Sequence, residues 1–150
     1  VIHQPAYSIL NRWVEDGLTD VLEQEGVGAI AFTPLAQGLL TDKYLADGTA
    51  DRASRSSVSR ERLTDHALAA LRSLNVIAQE RGQTLAQMAI QWVLRKPVVA
   101  SALIGASRIA QIDENLAALN GPAFTTEEEE RIDALSDALD VDLWAVSAQL

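Results

Sequence analysis

Three separated groups of side chains in this sequence suit a flat, charged organic ligand. Leu103 to Asn115 reads LIGASRIAQIDEN, an apolar run that opens into Gly105, Ala106 and Ser107. The helical pattern that follows carries Arg108, Gln111, Glu114 and Asn115 at spacings of three and four. Such spacing puts them on one helix face, beside an Ile109/Ile112 stripe. Unpaired N–H groups at a helix start favour an anion, and a guanidinium with an amide beside it favours phosphate. Ser107 has two readings: a helix N-cap in an ordinary strand-to-helix turn with a solvated face, or a hydroxyl that bonds phosphate. Glu114 and Asn115 together can accept from and donate to an adenine edge. Elsewhere, Gln4 offers the paired donor and acceptor that a carboxamide ligand needs, and Phe32 offers a ring face for stacking.

Reactive constellations are harder to find. The chain contains no cysteine and only two histidines, His3 and His66, which excludes disulfides and Cys/His metal sites. Neither histidine lies near a partnered carboxylate in sequence, and His3 reads first as a structural residue. Tyr7 and Tyr44 have no lysine–aspartate company at strand ends. There is no GxGxxG, P-loop or HExxH pattern. The residues read as able to hold a cofactor and unable to react it.

Hydrophobic periodicity supplies the elements that must position these groups. Residues 1–4 form a short apolar run that leaves through His3-Gln4-Pro5, as at a strand end. A helix is expected over 16–24, closed by Gly26, and a strand over 27–32 whose unbroken apolar run suits burial on both faces. Residues 37–62 are rich in Gly, Ser and Arg without a sustained period, so a long loop is expected there, with at most a helical turn near Leu39 to Tyr44. Leu68, Leu71, Leu74 and Ile77 predict a helix over 65–81 stopped by Gly82. Thr84 with Gln87 reads as a capping box for a second helix over 85–95, ended by Pro97. A further buried strand is expected over 98–104, then a helix whose inner face is Ile109, Ile112, Leu116 and Leu119. Thr126 with Glu129 reads as the cap of a last helix carrying Ile132, Leu135 and Leu139, with Glu127 to Glu130 in its first turn.

Strands alternating with helices mean right-handed crossovers and an α/β fold with a parallel sheet. Three strands with apolar edges leave backbone groups unpaired, so they look like an arc of a larger (β/α)8 barrel, which takes about 250 residues. Residues 1–150 show neither an internal repeat nor a domain boundary. In such a barrel, ligands sit at the C-terminal strand ends, here His3-Gln4, Phe32 to Leu35, and Leu103 to Ser107.

A formal charge of −9 argues against general nucleic-acid or anionic-membrane binding, and no apolar run approaches a membrane span of about 20 residues. Lack of cysteine fits a cytoplasmic protein. Lys43, Arg52, Arg55, Arg60 and Arg62 make a local basic island, read either as a solvated loop or as a flap that meets phosphate. Val1 lies inside an apolar run and no initiator Met is present, so further chain is expected upstream.

Four segments, HQPAYSILNRW, VGAIAFTPLAQGLLTDKYL, TLAQMAIQWVL and SALIGASRIAQIDENLAAL, together resemble the C-terminal part of an aldo-keto reductase. Within that superfamily the resemblance is to bacterial L-glyceraldehyde-3-phosphate reductases and to β subunits of voltage-gated potassium channels. The PLAQGLLTDKY and IGASRxxQIxEN segments are specific to this branch. The resemblance implies the last three strands of a (β/α)8 barrel that binds NADPH in an extended pose. It assigns Gln4 to the nicotinamide carboxamide and Phe32 to the nicotinamide ring, where the channel relatives have tryptophan. Thr33, Pro34, Leu35, Ala36 and Gln37 are assigned to the pyrophosphate, with Lys43 closing over it. Gly105, Ser107, Arg108 and Gln111 are assigned to the 2′-phosphate side of the adenosine, and Glu114 and Asn115 to the adenine. The branch's clamping arginine has Arg52 as its match and Arg55 as an alternative, and Asp42 stands where glycine is usual. No position matches the family's catalytic Asp, Tyr, Lys and His, which belong to the first half of the barrel.

The expected whole protein therefore takes a small-molecule carbonyl substrate and needs the missing N-terminal half of the barrel. A regulatory nucleotide-binding module is the alternative. Pairing of a half-barrel with a second copy, a homo-oligomer, is a third.

Overall fold

The structure, a computed structural model, describes residues 1–45 and 64–138. Arg52, Arg55, Arg60, Arg62 and Leu139, with most of the expected long loop, lie outside the described residues.

β1 (Ile2–His3), β2 (Gly28–Phe32) and β3 (Val99–Leu103) form one parallel sheet in sequence order. Ile2 pairs with Gly28 and His3 with Ala29; across the other side, Ala29 pairs with Val99, Ile30 with Ser101 and Phe32 with Leu103. α1 (Leu18–Gln24) makes the first crossover, and α2 (Asp65–Glu80) with α3 (Leu85–Leu94) the second. α4 (Ile109–Leu116), a 3-10 turn over Ala117–Asn120 and α5 (Thr126–Ala138) follow β3.

Local chemistry accounts for the boundaries. The Thr64 hydroxyl accepts from the Ala67 amide at 3.1 Å to start α2, and Gly82, at φ 69°, ends it in a conformation that a side chain would strain. At α3 the expected capping box is present: Gln87 N donates to Thr84 Oγ1 at 3.2 Å and Thr84 N to Gln87 Oε1 at 3.0 Å. The helix expected over 16–24 starts two residues later. A 3-10 turn, Trp13–Glu15, precedes Gly17 at φ 86°, and only from Leu18 is the chain α-helical.

Two other expectations shift. α5 is capped one residue earlier than Thr126 and Glu129. Thr125 N donates to Glu128 Oε2 at 2.8 Å and Glu128 N to Thr125 Oγ1 at 3.2 Å. Both frames are present in TTEEEE, and Glu128 is selected because its carboxylate also takes the Arg81 guanidinium at 2.6 Å.

Burial on both strand faces is not what the structure shows either. Along β2, Ala29 and Ala31 are buried while Gly28, Ile30 and Phe32 are only partly covered, and β3 is exposed over most of its length. Neighbours in a parallel sheet point the same way, so Ile2, Ile30, Ser101 and Leu103 share the open face with Phe32. The opposite face lies under α2 and α3, where Leu71, Leu74, Ile77, Leu85, Met88 and Trp92 are almost fully buried. In a closed barrel the remaining strands would fill the open side with side-chain layers.

α4 departs in the same sense. Ile109, Ile112, Leu116 and Leu119, the expected inner face, are 80%, 46%, 55% and 65% exposed. The amphipathic period is real, but no described element covers that stripe.

Candidate functional site

All three strands are parallel, so their C-terminal ends lie along one edge, with neighbouring strands about 5 Å apart. That edge brings Gln4, Phe32 with Thr33, and Gly105 with Ser107 together from segments distant in sequence. Gln4 is exposed one residue past β1, and alternation puts it on the same open face as Ile2. Phe32 is the last residue of β2 and half-buried. His3 falls on the helix-covered side, opposite Ala29, with a buried Nε2.

Both backbone polar groups of Phe32 bond the segment that follows β1. Its N–H donates to Pro5 O at 3.0 Å and its carbonyl accepts from Tyr7 N at 3.2 Å. After it the chain folds tightly: Ala36 N donates to Thr33 O at 2.9 Å and Gly38 N to Leu35 O at 2.9 Å. Thr33, Ala36 and Gln37 have φ of 54°, 47° and 57°, a left-handed backbone in non-glycine residues. Each such residue costs on the order of 1–3 kcal/mol and persists only where surrounding packing imposes it. Here Leu39 and Leu40, 1% and 0% exposed, pin the segment to the core. Pro34 and Ala36 are buried, so they offer backbone only, whereas Thr33, Leu35 and Gln37 remain partly accessible. Lys43 folds back over the turn, with its Nζ 3.8 Å from where a Cβ on Gly38 would stand.

At the third strand end, the expected Ser107 cap is replaced by a different arrangement. Arg108 is the N-cap residue of α4, in extended backbone, and the capping acceptor is Gln111 Oε1. That oxygen accepts from Ser107 N at 2.8 Å, Ser107 Oγ at 3.1 Å and Arg108 N at 3.2 Å. Three donors converging on one oxygen match an anion's requirements. Gly105, Ser107, Arg108 and Glu114 are exposed, and Gln111 and Asn115 partly so. Gln111, Glu114 and Asn115 follow one another along α4 as the spacing requires.

A polar cluster invisible to sequence periodicity lies behind this edge. Tyr7, 1% exposed, donates its hydroxyl proton to Glu15 Oε1 at 2.5 Å and accepts from Arg95 Nη1 at 3.0 Å. Burial, reinforced by Glu15 and opposed by the Arg95 charge, pushes the Tyr7 hydroxyl well above the ordinary phenol range. Burial would raise the Glu15 carboxyl too. Hydrogen bonds from Tyr7 and Arg12, with the Arg12 and Arg95 charges, outweigh it and hold that carboxyl below its usual value. The Trp92 ring is flanked by the Arg95 guanidinium at 3.7 Å and the Arg12 guanidinium at 5.1 Å. Glu15 and Arg95 stand 80 positions apart in sequence, so no local signal could have joined them. Tyr7 is thereby held in the cluster by both of its hydroxyl's hydrogen bonds.

No group of three or more His, Asp or Glu suited to a metal occurs among the described residues. No helix among them is long and apolar enough to cross a membrane.

A parallel β/α arc with its polar candidate groups along the C-terminal strand edge is a piece of a (β/α)8 barrel. The aldo/keto reductase family model matches residues 1–137, and the chain belongs to that family. An L-glyceraldehyde 3-phosphate reductase of Escherichia coli K12 is 48% identical over 99% of this chain and 45% of its own length. A probable voltage-gated potassium channel β subunit of Oryza sativa is 35% identical over 90% of the chain and 43% of its own. Among solved structures, an aldo-keto reductase from Klebsiella pneumoniae in complex with NADPH superposes with a TM-score of 0.62 at 28% identity, covering 89% of this chain and 38% of that one. The chain thus spans less than half the length of these relatives.

Proposed function

We propose that this chain is the cofactor-binding portion of an NADPH-dependent aldo-keto reductase whose intact form reduces aldehydes or ketones to alcohols. The observation that carries this reading is the row of strained residues, Thr33, Ala36 and Gln37, between an aromatic ring at a strand end and the folded-back Lys43. Strain concentrated at a ligand-bearing edge is favoured where the backbone must meet a ligand closely. The resemblance assigns that same segment to the pyrophosphate, and the NADPH complex of the Klebsiella relative supports the same cofactor.

The residues present fit that group. Phe32 offers one ring face on the open side of the sheet, where a nicotinamide stacks, and Gln4 can bond the carboxamide that orients it. Lys43 supplies a cation for the pyrophosphate, with Arg52 as a second from outside the described residues. Arg108 and the Ser107 donors suit a 2′-phosphate, and Glu114 with Asn115 suits an adenine edge. When bound, NADPH supplies hydride to the carbonyl carbon. This chain's share is to orient the ring and shield one of its faces from water; protonation of the carbonyl oxygen falls to a tyrosine from the first half of the barrel.

The purified chain should therefore show no carbonyl-dependent NADPH oxidation, and clear turnover by the pure protein would overturn this division of labour. The resemblance to a channel β subunit favours a second reading, a regulatory module in which nucleotide occupancy matters more than turnover. The coding sequence upstream separates them: an intact Asp, Tyr, Lys and His set supports the enzyme, and a lost one the module. The exposed stripe on α4 and the open sheet face favour a third, self-association of a half-barrel, for which a dilute monomer is the contrary result. A cytoplasmic location accompanies the enzyme reading.

A further inference from the structure

α4 carries the residues that would meet the adenosine, yet none of its side chains is buried. Apolar packing therefore does little to hold it. At its start it is tied to β3 through residues 104–108. Nearer its end, the tie is an amide on another helix: Gln87 Nε2 on α3 donates to the Glu114 carbonyl at 2.9 Å. One turn further along α3, Gln91 Nε2 donates to the Gly121 and Pro122 carbonyls at 3.0 and 2.8 Å, fixing the chain beyond the helix. Gln87 is the member of this pair that touches α4 itself, and it does so at Glu114.

The same side chain is also half of the α3 capping box, its Oε1 accepting from Thr84 N. Its two ends thus do separate things, the oxygen starting α3 and the nitrogen setting the position of α4 at the turn that bears Glu114 and Asn115.

We propose that Gln87 is a positioning residue for the adenosine half of the cofactor site. It acts through the Glu114 backbone without touching the nucleotide, and the inference rests on the cofactor reading above. Loss of the amide donor loosens α4 at Glu114, between its link to β3 and the Gln91 bonds beyond it, and its edge-reading side chains then meet the adenosine less often in register.

The two roles can be separated by substitution. Gln87→Glu keeps an acceptor for Thr84 N and loses the donor to Glu114. Gln87→Met loses the amide without adding charge. Thr84→Ala removes the partner half of the cap and leaves the Gln87–Glu114 bond in place. Binding of adenosine 2′,5′-bisphosphate and of reduced nicotinamide mononucleotide to the 150-residue chain is measured by calorimetry, with amide exchange of α3 and α4 followed in parallel.

Both Gln87 variants should bind the bisphosphate about three- to tenfold more weakly, the worth of one neutral hydrogen bond, and should exchange faster in α4. Neither should change its affinity for the mononucleotide. Thr84→Ala should lose thermal stability and keep its bisphosphate affinity. Equal weakening by Thr84→Ala would make Gln87 a merely structural cap and overturn the inference, as would unchanged affinity in both Gln87 variants. If the wild-type chain binds neither probe, the cofactor reading itself fails and takes this inference with it.

Discussion

Gln111 Oε1 lies 2.8 Å from Ser107 N and 3.1 Å from Ser107 Oγ, so the carboxamide oxygen of one candidate ligand residue occupies the donors of another. An oxygen of a 2′-phosphate must displace it or share those donors. Gln111→Glu puts a carboxylate on the same groups, which strengthens the internal bonds and repels phosphate. NADPH affinity should fall by about tenfold or more in this variant while NADH affinity moves by less than about threefold. Titration with both nucleotides checks this, and tighter NADPH binding by the variant would contradict it.

Arg108 carries most of the expected preference for a phosphorylated ribose. Hydrogen bonds to a charged partner contribute about 1.5–3 kcal/mol, so Arg108→Ala should weaken NADPH by roughly tenfold to a hundredfold and leave NADH nearly unchanged. Arg108→Lys should restore only part of the loss, because an ammonium lacks the guanidinium's paired donors. A variant that lost both nucleotides equally would place Arg108 in the fold and outside recognition.

Glu15 makes stability depend on pH in a definite direction. Its carboxyl is held below its ordinary 4.5 in the folded chain, so the unfolded chain takes up the proton first on acidification. The stabilisation is full at neutral pH and is lost as the pH falls below 4.5 and through the lowered folded value. Glu15→Gln should be less stable than wild type near neutrality, and the gap should close on acidification. Urea unfolding of both proteins across that range is the check; a gap that stays constant would remove Glu15 as the titrating group.

Trp92 is fully buried, with its ring 5.3 Å from that of Tyr7 and the Arg95 and Arg12 guanidinium groups 3.7 and 5.1 Å from its centroid. Trp92→Ala should cost about 3–5 kcal/mol and lower Tm by more than about 6 °C. Part of that loss would come from the Arg95–Glu15 pair, so a double substitution with Glu15→Gln should cost less than the two single losses together. Differential scanning calorimetry of the three variants measures it, and strict additivity would show the ring and the ion pair to be independent.

Local pattern and long-range contact differ in how far they could be read from the residues. The 3.6-residue period of Leu71, Leu74 and Ile77 and the Thr84/Gln87 spacing predict α2 and α3 because their causes lie within one helix. The three strands are legible for the same reason. Coverage is a different matter: an apolar run such as 27–32 looks the same whether one face or both are packed, and the Ile109 stripe keeps its period with nothing upon it. The choice between the two Thr-Glu frames in TTEEEE is decided by Arg81, at the C-cap of α2.

Within the candidate site, residue types point to one edge of the sheet, since parallel strands put all their C-terminal ends together. The direction of individual hydrogen bonds was not legible. Gln111 looks like a donor beside phosphate and proves to be an acceptor for Ser107, because a single amide can do either. The Tyr7–Glu15–Arg95 group joins parts of the chain that carry no common motif, and only the packing of α3 against the segment after β1 brings them together.

The most direct test of the central claim is a paired equilibrium titration of the 150-residue chain with NADPH and NADH, read by nucleotide fluorescence. Saturable binding of both, with NADPH the tighter and the difference removed by Arg108→Ala, is the predicted result. No binding of either nucleotide, or equal binding unaffected at Arg108, would contradict the assignment of this strand edge to the cofactor.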